Sequence, residues 1–313
     1  MMRMRFWCSA SGFKTVPRGG EQFGFEPPPP KTKKQKIGGS KMSTIPNIEV
    51  VKTKMRAAWD AGDYGTFATY MEPGAIEILE SWNIQPGQTL LDVACGSGQI
   101  SIPAARAGVK VTGVDIAPNS IEFAKRRAEE EGLDANFHEG DAECLPYDDN
   151  SFDVVASIVG AMFAPQPDRV SSELLRVCRP GGRILMVNWT PQGMVGHMFR
   201  EIGRHVPPPA NVPPPPLWGD EETVKERFGD GASSLTLTKK NYPLWTYPFG
   251  VPEVVQFFFD TYGPTEKAYA SLDEEGRNSL RAGLEKVYSD YNTATDGTID
   301  FAGEYLEVEA IKK

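Results

Sequence analysis

Leu90-Leu91-Asp92-Val93-Ala94-Cys95-Gly96-Ser97-Gly98-Gln99 is the stretch on which the fold turns. Residues 89–94 (TLLDVA) form a short, nearly unbroken apolar run, the pattern of a strand buried on both faces. A small-residue turn follows, and a helix is expected to start near Gln99. Gly96 and Gly98 let the backbone turn tightly and let a ligand approach main-chain N–H groups. Alone, a Gly-x-Gly turn serves equally well as a plain strand-to-helix connection.

The same rhythm continues outward. Residues 110–116 (KVTGVDI), 136–140, 152–159 (FDVVASIV) and 183–189 (RILMVNW) read as further strands. A helix over 119–131 carries Ile121, Ala124 and Ala128 on one face, and another over 169–178 carries Val170, Leu174 and Val177. Pro180-Gly181-Gly182 stops the second. Strands alternating with helices at this spacing imply a doubly wound parallel sheet. Upstream, residues 47–60 and 73–83 read as helices. Downstream the rhythm breaks. A helix over 194–205 runs into a proline-rich stretch, 206–217 (VPPPANVPPPPL), and a strand-like segment spans 234–245. Helices follow over 252–262, about 265–272 and 273–288, the last with Leu280, Leu284 and Val287 on one face. A final strand closes the chain within 298–312.

Acidic residues mark the strand ends. Asp115 ends the second strand, where a carboxylate can accept from the two ribose hydroxyls of an adenosine ligand. Asp141 ends the third, within Gly140-Asp141-Ala142-Glu143. Three successive strands thus end at a glycine loop or an acid along one sheet edge, the edge where open α/β sheets bind ligands.

With LLDVACGSGQ (90–99), VTGVDIA (111–117), GDAECLPYDDNSFDVV (140–155) and ELLRVCRPGGRILMVNW (173–189) in this order, the sequence resembles the class I S-adenosylmethionine-dependent methyltransferases, in the ubiquinone/menaquinone-type methyltransferase domain group. The likeness covers about residues 88–190, and EYLEVEAI (304–311) fits the family's antiparallel last strand. It implies a mostly parallel, seven-stranded Rossmann-like sheet, with a core at about 85–190 plus 303–312 and a helical cap and substrate region at about 191–297. It implies S-adenosylmethionine as cofactor. The 94–99 loop (Ala94, Cys95, Gly96, Gly98, Gln99) would cradle the amino-acid half, with Asp92 orienting the loop or meeting the methionine amino group. Asp115 would hold the ribose and Ile116 pack on adenine. Asp141 would accept from the adenine amino group beside the Ala142 main chain, and Ser157 and Ile158 would lie under the methionine part. Ala94 departs from the family's first glycine, and the reading expects a negative φ there.

Two other readings compete. A nicotinamide-dependent oxidoreductase would need Gly96-x-Gly98-x-x-Ser101 as its fingerprint, and serine fits the third position poorly because close helix–strand packing wants Gly or Ala. A non-catalytic S-adenosylmethionine-binding or regulatory protein could keep the same fold.

Methyl transfer from a sulfonium asks mainly for alignment, so no triad is expected. His197 is the one weak candidate for a base. Tyr64, Tyr70, Met162, Phe163, Trp189 and Trp218 are candidates for an apolar or aromatic acceptor pocket, with Trp245 and the Phe257–Phe259 run as further aromatics. Consecutive helical positions cannot share one face, so one of the three phenylalanines must point away from the core. The proline-rich stretch would wall or cover the acceptor site. No His/Asp/Glu cluster has metal-ligand spacing.

Charge narrows the partner. Residues 1–41 hold nine basic and two acidic residues, a net of +7, which leaves −16 on the rest of this −9 chain. A body that acidic disfavours nucleic acid and anionic membrane surfaces. Residues 1–41, with a proline run and a KTKKQK cluster, read as a disordered basic tail rather than a targeting peptide or a basic arm, and 42–313 as the domain. The longest apolar run, 154–164, is far short of the roughly 18 residues of a membrane span. Cys8, Cys95, Cys144 and Cys178, without CxxC spacing, read as reduced thiols of a cytoplasmic protein. A small-molecule acceptor is therefore expected, while the sequence leaves the oligomeric state open.

Overall fold

The computed structural model describes residues 47–61 and 64–313. The basic stretch 1–41 and the Tyr64 side chain lie outside that description. Three helices come first: α1 (Ile48–Ala61), α2 (Tyr64–Thr69) and α3 (Glu72–Ser81). The alternation then runs β1 (Thr89–Val93), α4 (Ser101–Arg106), β2 (Lys110–Asp115), α5 (Pro118–Glu131), β3 (Ala135–Glu139), β4 (Phe152–Ile158), α6 (Pro167–Val177) and β5 (Cys178–Trp189). Beyond it lie α7 (Met194–His205), a 3-10 turn at Pro215–Gly219, α8 (Glu221–Phe228), β6 (Ala232–Asn241) and β7 (Thr246–Tyr247). The chain ends with α9 (Val251–Thr261), α10 (Gly263–Ala270), α11 (Glu274–Tyr291), β8 (Ile299–Asp300) and β9 (Glu304–Lys312).

Seven strands form one sheet in the order β3-β2-β1-β4-β5-β9-β6. The five strands β1–β5 pair in parallel, and β9 enters antiparallel between β5 and β6. Strand order reverses at β1, between β2 on one side and β4 on the other, so a crevice opens at the carboxyl ends of β1 and β4. Leu90, Leu91, Val154, Val155, Ile184 and Met186 are fully buried, as runs covered on both faces by helices must be.

The helices bury the expected stripes. α5 buries Ile121, Ala124 and Ala128 and ends on Gly132 in the left-handed conformation. α6 buries Val170, Leu174 and Val177. In α11 the buried face is Leu280, Leu284 and Tyr288, with Val287 only partly covered. Two side-chain caps start later helices: Asp220 accepts from the Thr223 N–H for α8, and Asp273 from the Gly276 N–H for α11.

Four details differ from the sequence reading. β5 begins at Cys178, directly after α6, and carries Pro180-Gly181-Gly182 past a register shift opposite β4. Helix α8 and the β7–β8 pair, both short, had no periodic signal long enough to mark them. The proline-rich stretch is exposed over 207–211, and none of residues 206–217 lines the cavity at the carboxyl edge of the sheet. Its end instead docks on β5, where a Cβ on Gly219 would stand 2.2 Å from the Trp189 carbonyl oxygen. Cys95 and Cys178 are free and buried, as the reading of reduced thiols expects, whereas Cys144 is disulfide-bonded and Cys8 lies outside the described residues.

Candidate functional site

One cavity, with about 1440 Å³ of empty space including its mouth, opens at the carboxyl edge of the sheet. Its floor is the ends of four adjacent strands. Asp92, Ala94, Cys95, Gly96 and Gln99 line it from β1 and its loop, and Asp115 and Ile116 from β2. Asp141 and Ala142 reach it after β3, and Ile158 at the end of β4. Gly98 and Ser157, the other two sequence candidates, do not line it. Gly98 instead turns the loop at φ 87°. Ser157 Oγ donates to the Val93 carbonyl at 2.7 Å and accepts from the Ala161 N–H at 2.9 Å, tying β4 to β1 beneath the surface.

Asp115 organises the loop. Its Oδ2 accepts from the Gly96 N–H at 2.9 Å and its Oδ1 from the Ala117 N–H at 2.8 Å. Burial raises its pKa, and the backbone donors of Ala117, Gly96 and Ile116 work against that rise. Asp92 is almost wholly buried, and Ser101 Oγ donates to it at 2.6 Å. Burial pushes its carboxyl up to about 7, the Ser101 bond opposing and the negative Asp115 adding to the shift. Burial likewise pushes the Cys95 thiol well above its ordinary range, so it is no thiolate nucleophile.

Ala94 corrects an expectation. Its φ is 56°, in the left-handed region, not negative. The neighbouring chain makes room for it: a Cβ on Gly160 would lie 2.6 Å from the Ala94 carbonyl oxygen and 2.7 Å from its Cβ. Val159, also lining the cavity, is left-handed at φ 50°, where a β-branched residue is rare. Two strained turns thus face each other at the switch point.

The opposite wall is apolar and aromatic. Trp59 comes from α1, Phe163 from the turn after β4, Trp189 from β5, Phe258 from α9, and Trp245 and Tyr262 from connecting segments. Trp189 stacks on Trp245 with centroids 5.1 Å apart, and Trp59 meets Phe163 at 5.2 Å and Tyr262 at 5.9 Å. Of the three consecutive phenylalanines, Phe258 faces the cavity. Phe259 stacks on Tyr269 at 4.2 Å, and Phe257 is partly exposed beside Tyr70.

Four sequence candidates stand elsewhere. Tyr70 packs against Tyr247 at 4.6 Å, and Met162 is buried in the core. Trp218 is buried with the Arg227 guanidinium 4.3 Å from its ring centroid. His197 lies in a separate open groove between α7 and α11, with Nδ1 3.3 Å from Tyr291 Oη. Burial and Arg200 lower its pKa. Its periodic spacing could not reveal that its helix turns that face away from the sheet edge.

Sequence reasoning missed Lys52 and Met55, which line the cavity from α1 together with Trp59. Their spacing, i, i+3 and i+7, was the available signal for a shared helical face. Among the described residues no group of three His, Cys, Asp or Glu side chains could hold a metal ion, and no helix is long and apolar enough to cross a membrane.

Comparison with known proteins bears on family and fold. A family model described as "Methyltransferase domain" matches residues 91–186. An uncharacterised protein of Mycobacterium tuberculosis, Rv1405c, is 36% identical over 261 residues, covering 82% of this chain and 94% of its own. A demethylmenaquinone methyltransferase of Renibacterium salmoninarum is 36% identical over 113 residues, 36% of this chain and 46% of that protein. In fold, the crystal structure of the MccD protein is similar with a TM-score of 0.51 at 19% identity, over 77% of this chain and 99% of that one. The ordered strand-end motifs, the sheet that carries them and these matches together set aside the oxidoreductase reading: the chain belongs to the class I S-adenosylmethionine-dependent methyltransferases, and it is an enzyme that uses S-adenosylmethionine to methylate an acceptor.

Proposed function

We propose that this enzyme methylates a small, apolar or aromatic acceptor held against the aromatic wall of the cavity. The observation that carries the reading is the division of one cavity into a carboxylate-lined floor and an aromatic wall. The floor fits S-adenosylmethionine. Asp115, already fixed by two backbone donors, keeps a carboxylate for the ribose hydroxyls. Ile116 and Ala142 flank the adenine, and Asp141 accepts from its amino group. Asp92, buried with a hydroxyl donor on one oxygen, suits the ammonium of the methionine part. Ala94, Cys95, Gly96 and Gln99 present the loop beneath that part, and Ile158 supports it.

When bound, S-adenosylmethionine supplies a methyl group on a sulfonium, open to in-line displacement. The protein's contribution is alignment and exclusion of water. Phe163, Trp189, Trp245, Phe258 and Tyr262 offer flat apolar surface that orients a planar or hydrocarbon acceptor. A nucleic-acid acceptor fits poorly with a body of net charge −16, because phosphate contacts need cations.

Titration calorimetry with S-adenosylmethionine and S-adenosylhomocysteine, then a product assay over neutral aromatic and aliphatic acceptors beside DNA and RNA oligonucleotides, tests both parts. Cofactor binding with turnover confined to small neutral acceptors is expected. Turnover on the oligonucleotides alone would overturn the acceptor class, and absent cofactor binding would overturn the placement of the site.

A further inference from the structure

We propose that helix α1 is a lid over the adenosine side of the cavity, and that Lys52 is the latch that holds it through Asp141 and Glu143. Lys52 Nζ donates to Asp141 Oδ2 at 2.6 Å and stands 2.5 Å from Glu143 Oε2. The Glu143 side chain is fully buried. The Gln166 N–H donates to its Oε1 at 2.6 Å and Gln166 Nε2 to its Oε2 at 2.9 Å. Glu143 is therefore a fixed anchor on the sheet side, and Lys52 is the partner that α1 brings to it.

Two further ties share the edge. Arg56 pairs with Glu139 at 2.5 Å. Asp60 Oδ1 accepts from the Asn119 N–H at 3.1 Å, and the Asp60 carbonyl accepts from Asn119 Nδ2 at 2.9 Å. Positions 52, 56 and 60 fall on one helical face, next to the face that turns Met55 and Trp59 to the cavity. Few of α1's apolar side chains are buried: among those described only Val51 is, Val50 is half exposed, and Trp59 is partly covered where it packs on Phe163 and Tyr262. A helix with little buried apolar area, held by one aromatic contact and several polar ties, opens at lower cost than the core.

Magnitude singles out Lys52. The Arg56 pair is about half exposed on both sides, so solvent and salt weaken it. Opening at Lys52 strands a buried carboxylate, which is far more costly. The latch also touches the ligand site, because Asp141 is both its second acceptor and the group assigned to the adenine amino group. The inference rests on that assignment. Lys52 acts through Asp141 and the position of α1, so it is a positioning residue.

The test is the dissociation rate of S-adenosylhomocysteine from the full chain by stopped-flow displacement, with amide exchange of residues 48–61. Lys52→Met should raise the rate roughly tenfold or more, change association little, and speed exchange of 48–61. Lys52→Arg should stay within about threefold of the parent. The double variant Lys52→Met with Glu143→Gln leaves no unpaired buried charge, so it guards against misfolding, and it should keep the fast dissociation. A parent that binds with a double variant of unchanged dissociation and exchange overturns the latch alone. A parent that does not bind overturns the cofactor assignment on which the latch rests.

Discussion

The floor and the wall of the cavity are built from different kinds of sequence. The floor comes from short consecutive segments, 92–99, 115–117 and 140–142, each at the end of a neighbouring strand, where parallel topology brings them together. The wall takes Trp59, Phe163, Trp189, Trp245, Phe258 and Tyr262 from six separate places, and only tertiary packing brings them together. The floor is held by directional bonds to backbone N–H groups, which leave little freedom to vary. The wall is held by area, which tolerates exchange of one large apolar group for another. A single fold can therefore keep its cofactor chemistry while its acceptor preference changes.

Truncating the wall should cost most in stability. Phe258 is buried and meets Phe67 and Tyr288 at 5.1 Å and Tyr262 at 5.7 Å. Phe258→Ala should lower unfolding stability by about 3–5 kcal/mol in urea titrations, while S-adenosylhomocysteine affinity of the folded variant stays within about threefold of the parent. A tenfold or larger loss of affinity would break the separation of wall from floor.

The floor should show itself through pH. Asp92 has its folded-state pKa raised to about 7 from 3.8. A carboxyl raised on folding binds its proton more tightly in the folded state, so its contribution is present at low pH and is lost as pH rises toward 7. The cofactor-free protein should lose about 2–3 kcal/mol between pH 5 and pH 8 from this group alone. Asp92→Asn should flatten that part of the stability profile and weaken S-adenosylhomocysteine binding at pH 8. A parallel slope in the Asn variant would place the titration elsewhere.

How much was legible follows the same division. The five parallel strands and the three strand-end motifs could be read because each is local, and its apolar run or turn residues lie together in sequence. What failed needed three-dimensional knowledge. The sign of φ at Ala94 depends on the space that Gly160 leaves it. Trp218 and Met162 are as apolar as Trp189 and Phe163, yet they point into the core instead of the cavity. For Lys52 the only signal was its helical spacing with Met55 and Trp59; nothing near it in sequence predicts a partner at position 141 or 143.

Asp115→Ala probes the floor's directional bonds without touching the wall. It removes the acceptor for Gly96 and Ala117 and the carboxylate proposed for the ribose. S-adenosylhomocysteine affinity should fall by at least about tenfold, as expected for losing charge-assisted bonds worth roughly 1.5–3 kcal/mol each. Calorimetry on a variant shown to be folded checks it, and unchanged affinity would detach the glycine loop from the cofactor.

The smallest effect tests the floor's backbone. Replacing alanine by glycine ordinarily destabilises, because the unfolded chain gains freedom. At Ala94 the balance reverses. A left-handed alanine costs about 1–2 kcal/mol, and glycine removes that cost while returning only about 0.4–1 kcal/mol through the unfolded state. Ala94→Gly should therefore raise stability slightly, by about 0.5–1 kcal/mol on the same principles, and leave S-adenosylhomocysteine affinity within about twofold, since the loop keeps the conformation it already has at φ 56°. The wall offers no site where removing a side chain would do the same, because there the side chain is itself the contact. A loss of stability near 1 kcal/mol in Ala94→Gly would mean that position 94 is not left-handed in solution, and that the loop is shaped by its glycines alone.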